Sequence, residues 1–218
     1  MVNSVKNSVI IIGYHRDMST VISCVEAENK NSILGIIYFD DKNASNSDYE
    51  RLGNIEDLSS ILKKYKKVYG IIAAFENQKR KMIYENIISL VPEFNFKTVI
   101  HPSVILGREV SIGKGSFLMA NCIINSNVTL GEFCFLSGNL SVGHDCIINN
   151  FVDIEMNVTV GGYVQIGDFS KVEMSSKIIQ NTKIGNLCGI LANSLVTKDV
   201  KDYFTVYGTP AKIIKTQE

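Results

Sequence analysis

Residues 142–172 read VGHDCI INNFVD IEMNVT VGGYVQ IGDFSK V, and cut into sixes every block opens on Val or Ile. The register runs on in both directions without an insertion. From Leu106 to Val196 this position is filled sixteen times, always by Leu, Ile or Val. Four residues further along, a second position passes through Val110, Ser116, Cys122, Cys134, Cys146 and Cys188 to Val200, and apart from Leu140 it holds only small or β-branched residues.

A period of six matches neither the 3.6-residue recurrence of a helix nor the two-residue alternation of a hairpin sheet. It matches a solenoid in which each hexad is one short strand and a corner, the signature of a parallel β-helix. Three hexads close a triangular coil, so residues eighteen apart stack and the aliphatic positions form a dry central column. Gly107, Gly113, Gly131, Gly143, Gly161, Gly167 and Gly185 follow the aliphatic position, where the chain turns and a side chain is costly.

The chain of 218 residues therefore divides into a non-repetitive front, residues 1–100, and a solenoid with a tail, residues 101–218. Lys and Arg total 22, equal to Asp and Glu at 22, so no nucleic-acid-binding surface is expected. The run Lys63-Lys64-Tyr65-Lys66-Lys67 reads as a solvated helix end. No apolar stretch reaches the ~20 residues that span a bilayer. Val9-Ile10-Ile11-Ile12 is too short for a leader core and reads as a first strand, which points to a cytoplasmic protein without membrane attachment. The five cysteines lack CxxC spacing, and four of them occupy the small inward position, where a thiol serves as a compact hydrophobe. Neither disulfides nor a cysteine metal site is expected.

The front alternates strand-like and helix-like patterns. Strands are expected near residues 8–12, 33–39, 68–74 and 96–100, and helices near 17–28, 55–64 and 78–90. This order favours a small Rossmann-like parallel sheet with crossover helices, and residues 41–54 read as a surface loop. Ligands in such sheets sit at the carboxyl ends of the strands, where residues 13–17 and Asp40-Asp41-Lys42 fall. The first loop has one glycine and is not GxGxxG, which argues against a dinucleotide cofactor. A nucleotide phosphate against the following helix and a plain polar loop both fit these residues.

Three histidines are present. His101 precedes Pro102 at the junction and reads as structural. His144 stands two residues after Val142, at a corner, so its side chain should point outward. Eighteen residues on is Gly162, preceded by Gly161, which leaves room above the imidazole and offers a bare backbone N–H. Asp145 can hold the imidazole tautomer or stabilise the imidazolium, although neighbouring side chains on a strand diverge.

The α/β front, the uninterrupted hexads, Gly143-His144-Asp145-Cys146, Gly161-Gly162-Tyr163-Val164-Gln165-Ile166-Gly167 and Tyr207-Gly208-Thr209-Pro210-Ala211-Lys212 together resemble the left-handed β-helix acyltransferases. Among these, the chain is most similar to nucleotide-sugar N-acetyltransferases of the bacillosamine and perosamine type and to sialic acid O-acetyltransferases. The resemblance covers nearly the whole chain. It implies a homotrimer with acetyl-CoA, as co-substrate, in the groove between neighbouring solenoids and active sites between subunits. It implies His144 as general base toward the amine of a nucleotide-linked amino sugar destined for a surface glycan such as lipopolysaccharide, with Asp145 in support. Gly161 and Gly162 would meet the thioester or pantetheine, and Met174 and Ala192 mark further positions along the CoA groove. In the front, Gly13 and His15 would lie near the phosphates or base, and Asp40 and Asp41 on the uridine-like part.

The sequence departs from the family in several places. The usual Gly-x-x-Gly-His-Gly is shortened to Gly13-Tyr14-His15-Arg16, and a second active-site histidine is replaced by Asp153. Glycines near the CoA groove become Met174, Leu191 and Ala192. Two alternatives stay open on sequence: acetylation of a sugar hydroxyl, and a catalytically silent nucleotide-sugar-binding protein. A three-histidine zinc site of the γ-carbonic anhydrase type is excluded, because one histidine lies between Val104 and Val200.

Overall fold

The computed structural model describes residues 7–39, 48–65 and 67–216, which form two compact units, 1–99 and 100–218. In the first unit the described elements are β1 (Asn7–Gly13), α1 (His15–Glu28), β2 (Asn31–Tyr38), β3 (Arg51–Gly53), a 3-10 turn (Ile55–Asp57), α2 (Leu58–Leu62), β4 (Val68–Ala73) and α3 (Asn77–Leu90). The strands pair in parallel in the order β3-β2-β1-β4. Ile10, Ile11 and Ile12 of β1 are fully buried, as expected for the continuous apolar run of a parallel strand covered on both faces. Because β1 lies between β2 and β4, the chain leaves it in two directions, and its carboxyl end is the switch point at which sheets of this kind take ligands. Gly13 stands there, and a Cβ on it would come within 2.0 Å of the Ala73 carbonyl oxygen.

Two expectations for this unit change. Within residues 41–54, Arg51–Gly53 is not loop but an edge strand, aligned on Ile36 and Ile37. The strand expected at 96–100 shrinks to a single bridge between Phe96 and Gly70 and the two-residue strand Val99–Ile100.

The second unit is a left-handed parallel β-helix. Its strands are two residues long, and partners lie eighteen residues apart, as in Ser141↔Thr159 and Val142↔Val160. The aliphatic column is buried from Leu118 to Val196, whereas Leu106 at its start is 43% exposed. The antiparallel hairpin Phe204–Gly208 and Ala211–Thr216 closes the chain, with Val206 aligned on Ile190.

The corners are built differently from the simplest expectation. The left-handed backbone falls three residues after every aliphatic position from Leu106 to Ile190, among them Asn121, Asn127, Phe133, Asn139, Asp145 and Tyr163, where φ lies between 53° and 61°. Asparagine tolerates that region best among residues with a Cβ, which explains its recurrence. The glycines directly after the column serve close approach instead. A Cβ on Gly143 would lie 2.5 Å from the backbone of Gly161 and Gly162 in the next coil.

The second inward position also does more than fill space. Cys122, Cys134, Cys146 and Cys188 place their thiols 2.9–3.1 Å from the carbonyl oxygens of Ser137, Asn149, Gly161 and Lys201. Ser116, Ser170 and Ser176 donate in the same way to Gly131, Gly185 and Leu191. Each such group satisfies a corner carbonyl turned into the column, where an unpaired acceptor is costly.

Candidate active site

Ser141–Val142 delivers His144 to a corner with its side chain 56% exposed. The next residue, Asp145, has φ 56°. That left-handed step breaks the alternation that would separate neighbouring side chains on a strand, and it brings Oδ2 of Asp145 to 2.7 Å from Nδ1 of His144. Asn127, one coil earlier, donates from Nδ2 to Oδ1 of Asp145 at 3.1 Å. The bond to His144, and then the bond from Asn127, hold the Asp145 carboxyl below the usual aspartate range. A carboxylate at Nδ1 selects the tautomer with its proton there and leaves a lone pair on Nε2.

Nε2 faces Gly162. A Cβ on Gly162 would lie 2.9 Å from Nε2 and 3.0 Å from Cε1, so only glycine leaves the imidazole in place. Tyr163 donates its N–H to the carbonyl of His144 at 2.9 Å and sets its half-exposed ring edge-on to the imidazole, centroids 5.0 Å apart at 86°.

The backbone N–H groups of the later coils differ among the corners, although Met156 and Gly138 in the Met174 stack also lack an acceptor among the described residues and Arg108 in the His144 stack donates to Ser126 Oγ at 3.2 Å. In the stack of Glu132, Asn150, Asp168 and Asn186, each N–H is accepted at 2.8–2.9 Å by the Asn or Asp side chain one coil on. In the stack of Met174 and Ala192, the N–H groups donate at 3.1 Å to Glu155 and Glu173. Lys171 lies 2.9 Å from one of these carboxylates and 3.7 Å from the other. In the stack of His144, the residue after Gly162 is Gln180, and among the described residues no group accepts the N–H of His144, Gly162 or Gln180. This corner is left with donors to offer.

The structure thus brings together His144, Asp145, Gly161 and Gly162. It does not bring Met174 and Ala192 to them within one chain, since both belong to another corner. Gly13 lies at the carboxyl end of β1 in the first unit. Asp40, Asp41 and the side chain of His15 lie outside the described residues. Asp153, at the position of the second histidine, is a buried strand residue aligned on Lys171. Asn127 and Tyr163 were not singled out by the motif reading. Stepping eighteen residues back from Asp145 and forward from it finds both.

In the first unit, Asp17 is buried and its Oδ2 accepts the N–H of Phe75 at 3.0 Å. Burial pushes its carboxyl above the usual value. Tyr14 and Phe39 meet edge to face beside it, with Lys79 5.2 Å above the Tyr14 ring. Among the described residues no cluster of three potential metal ligands occurs, and no helix is long and apolar enough to cross a membrane.

No protein-family model and no curated relative matches the sequence. Solved structures do. The acetyltransferase domain of PglB from Neisseria gonorrhoeae FA1090 is 24% identical over 96% of this chain and 100% of its own, with a TM-score of 0.82. The fold is shared. PerB from Caulobacter crescentus, solved with CoA and GDP-perosamine, is 22% identical over 96% of this chain and 98% of its own, at 0.87. AntD, an N-acyltransferase from Bacillus cereus solved as a point mutant with dTDP and coenzyme A, covers 62% of this chain and 89% of its own at 16% identity and 0.53.

Proposed function

We propose that the protein is an acetyl-CoA-dependent N-acetyltransferase acting on the amine of a nucleotide-linked amino sugar. The observation that carries this reading is the alignment of a carboxylate-held imidazole, its Nε2 free, with the open N–H of Gly162 one coil above. A base and an amide donor side by side at an exposed corner are what acyl transfer from a thioester requires. The similar structures solved with CoA and a nucleotide or nucleotide sugar support the choice of substrates.

In the proposed reaction the sugar amine attacks the thioester carbonyl of acetyl-CoA. Nε2 of His144 takes the proton the nitrogen sheds, while Asp145 stabilises the imidazolium through Nδ1. The Gly162 N–H meets the oxygen that becomes negative in the tetrahedral adduct. Collapse forms the amide, breaks the C–S bond and returns the proton from His144 to the departing CoA sulfur. No acyl-enzyme is needed, because CoA already carries an activated acyl group.

The α/β unit takes the nucleotide in this reading, with Gly13, His15, Asp40 and Asp41 as its candidate contacts, and the β-helix takes acetyl-CoA. Met174 and Ala192 would join the CoA path from a neighbouring subunit of a homotrimer, after their N–H groups exchange Glu155 and Glu173 for the cofactor. The product would enter surface glycan synthesis from the cytoplasm.

The test is direct. Purified protein is supplied with acetyl-CoA and a panel of UDP-, dTDP- and GDP-linked 4-amino-4,6-dideoxy sugars, with CoA release followed and products identified by mass spectrometry. N-acetylation of one of them is expected. Activity confined to a sugar hydroxyl or to a free sugar acid would overturn the reading.

A further inference from the structure

We propose that Cys146, a buried thiol that does not touch the substrate, is a positioning residue that sets the direction of the Gly162 N–H. The inference rests on the acyl-transfer reading above. Sγ of Cys146 lies 3.1 Å from the carbonyl oxygen of Gly161, and the residue is fully buried. Burial pushes the thiol pKa up, so the sulfur keeps its proton and donates. A trans peptide carries its C=O and N–H on opposite edges. With the Gly161 carbonyl turned in toward Cys146, the Gly162 N–H faces out of the coil, the side on which the His144 ring lies.

The same thiol-to-carbonyl bond recurs at Cys134, whose sulfur is 2.9 Å from the Asn149 oxygen. The two peptides differ at their other edge. The Asn150 N–H is also held, at 2.8 Å by Asp168, so the 149–150 peptide is fixed twice. Among the described residues no group accepts the Gly162 N–H, and the 161–162 peptide is flanked by two glycines, the residues that least resist backbone rotation. The Gly161 N–H donates to the Ile178 carbonyl and the Gly162 carbonyl accepts from the Asn181 N–H, each at 2.9 Å, and within that frame the thiol is the one described group bonded to the 161–162 peptide itself. Cys146 confers order where the reaction needs it, while Cys134 repeats a bond that its coil does not depend on.

The experiment compares Cys146→Val with Cys134→Val in the full-length protein, measuring thermal midpoint, kcat and KM. Both substitutions remove a donor from an equivalent inward position, so similar losses of thermal stability are expected. The kcat of Cys146→Val is expected to fall about ten-fold with the sugar-nucleotide KM little changed, because a displaced donor costs the transition state more than the ground state. Cys134→Val is expected to retain near-native kcat, and Cys146→Ser, which keeps a donor, to recover most of the loss. If Cys146→Val fails to fold, Cys146→Ala against Cys134→Ala decides by the same comparison. Equal kcat in the paired Cys146 and Cys134 variants, or no recovery by serine, overturns the role of Cys146 alone. A native protein that acetylates no sugar nucleotide overturns the reading beneath it.

Discussion

Asp145 and His144 are consecutive in sequence, yet their side chains meet at 2.7 Å. The left-handed backbone of Asp145 makes this possible, and Asn127 and Tyr163 occupy the same corner position one coil before and one coil after. The site is thus a local variant of an ordinary coil.

Replacing His144 by Ala removes the ring whose Nε2 faces Gly162. Its side chain is exposed and its side-chain bond is the one to Asp145, so the thermal midpoint should fall no further than that of Asp145→Asn. The kcat should fall by about 10²–10⁴-fold, the usual contribution of a positioned base. Parallel melting curves and steady-state kinetics check both halves; a midpoint that collapses along with activity would make His144 structural.

Gly162→Ala should separate activity from stability. The added methyl would sit 2.9 Å from Nε2, and the imidazole is free to swing outward to relieve it. We expect a loss in kcat/KM of at least about ten-fold, with little change in denaturation midpoint, read by kinetics and chemical unfolding.

The depressed pKa of Asp145 has a definite sign. A carboxyl with its folded pKa below the unfolded value contributes stability above the ordinary aspartate pKa of about 3.9, and that contribution is lost as pH falls through the folded value. The native protein and Asp145→Asn should therefore differ in thermal midpoint near neutral pH and converge in acid. Melting curves between pH 3 and pH 7 test this, and a gap that widens in acid contradicts it.

The thiols should be silent in the native state. All five cysteines are buried, and burial pushes the Cys122 thiol up to about 11. Titration with an aromatic disulfide at pH 8 should modify less than one thiol per chain until denaturant is added, because the thiolate is the reacting form.

The hexads made the solenoid legible, since one aliphatic residue in six leaves no competing periodicity. They placed His144 at a corner beneath Gly162 for the same reason. The His144–Asp145 contact was less accessible. Its signal is the run of asparagines at Asn121, Asn127, Asn139 and Asn157, which marks the left-handed position that Asp145 shares. β3 escaped because three residues show no alternation, and its pairing comes from the edge of β2 rather than from its own pattern. The difference between the corners escaped as well. It depends on which side chain stands eighteen residues later, and Gln180 in place of Asn or Asp is informative only once the N–H groups can be followed in space.

The eighteen-residue pairing also bears on descent. In most folds a drifting residue disturbs neighbours scattered along the chain, and compensation must be found at several sites together. Here each corner and strand position answers mainly to the same position one coil away. A lineage can exchange most of its letters while every exchange is judged by the same two neighbours. That is how about three-quarters of the residues can differ from PglB and PerB while the fold is shared.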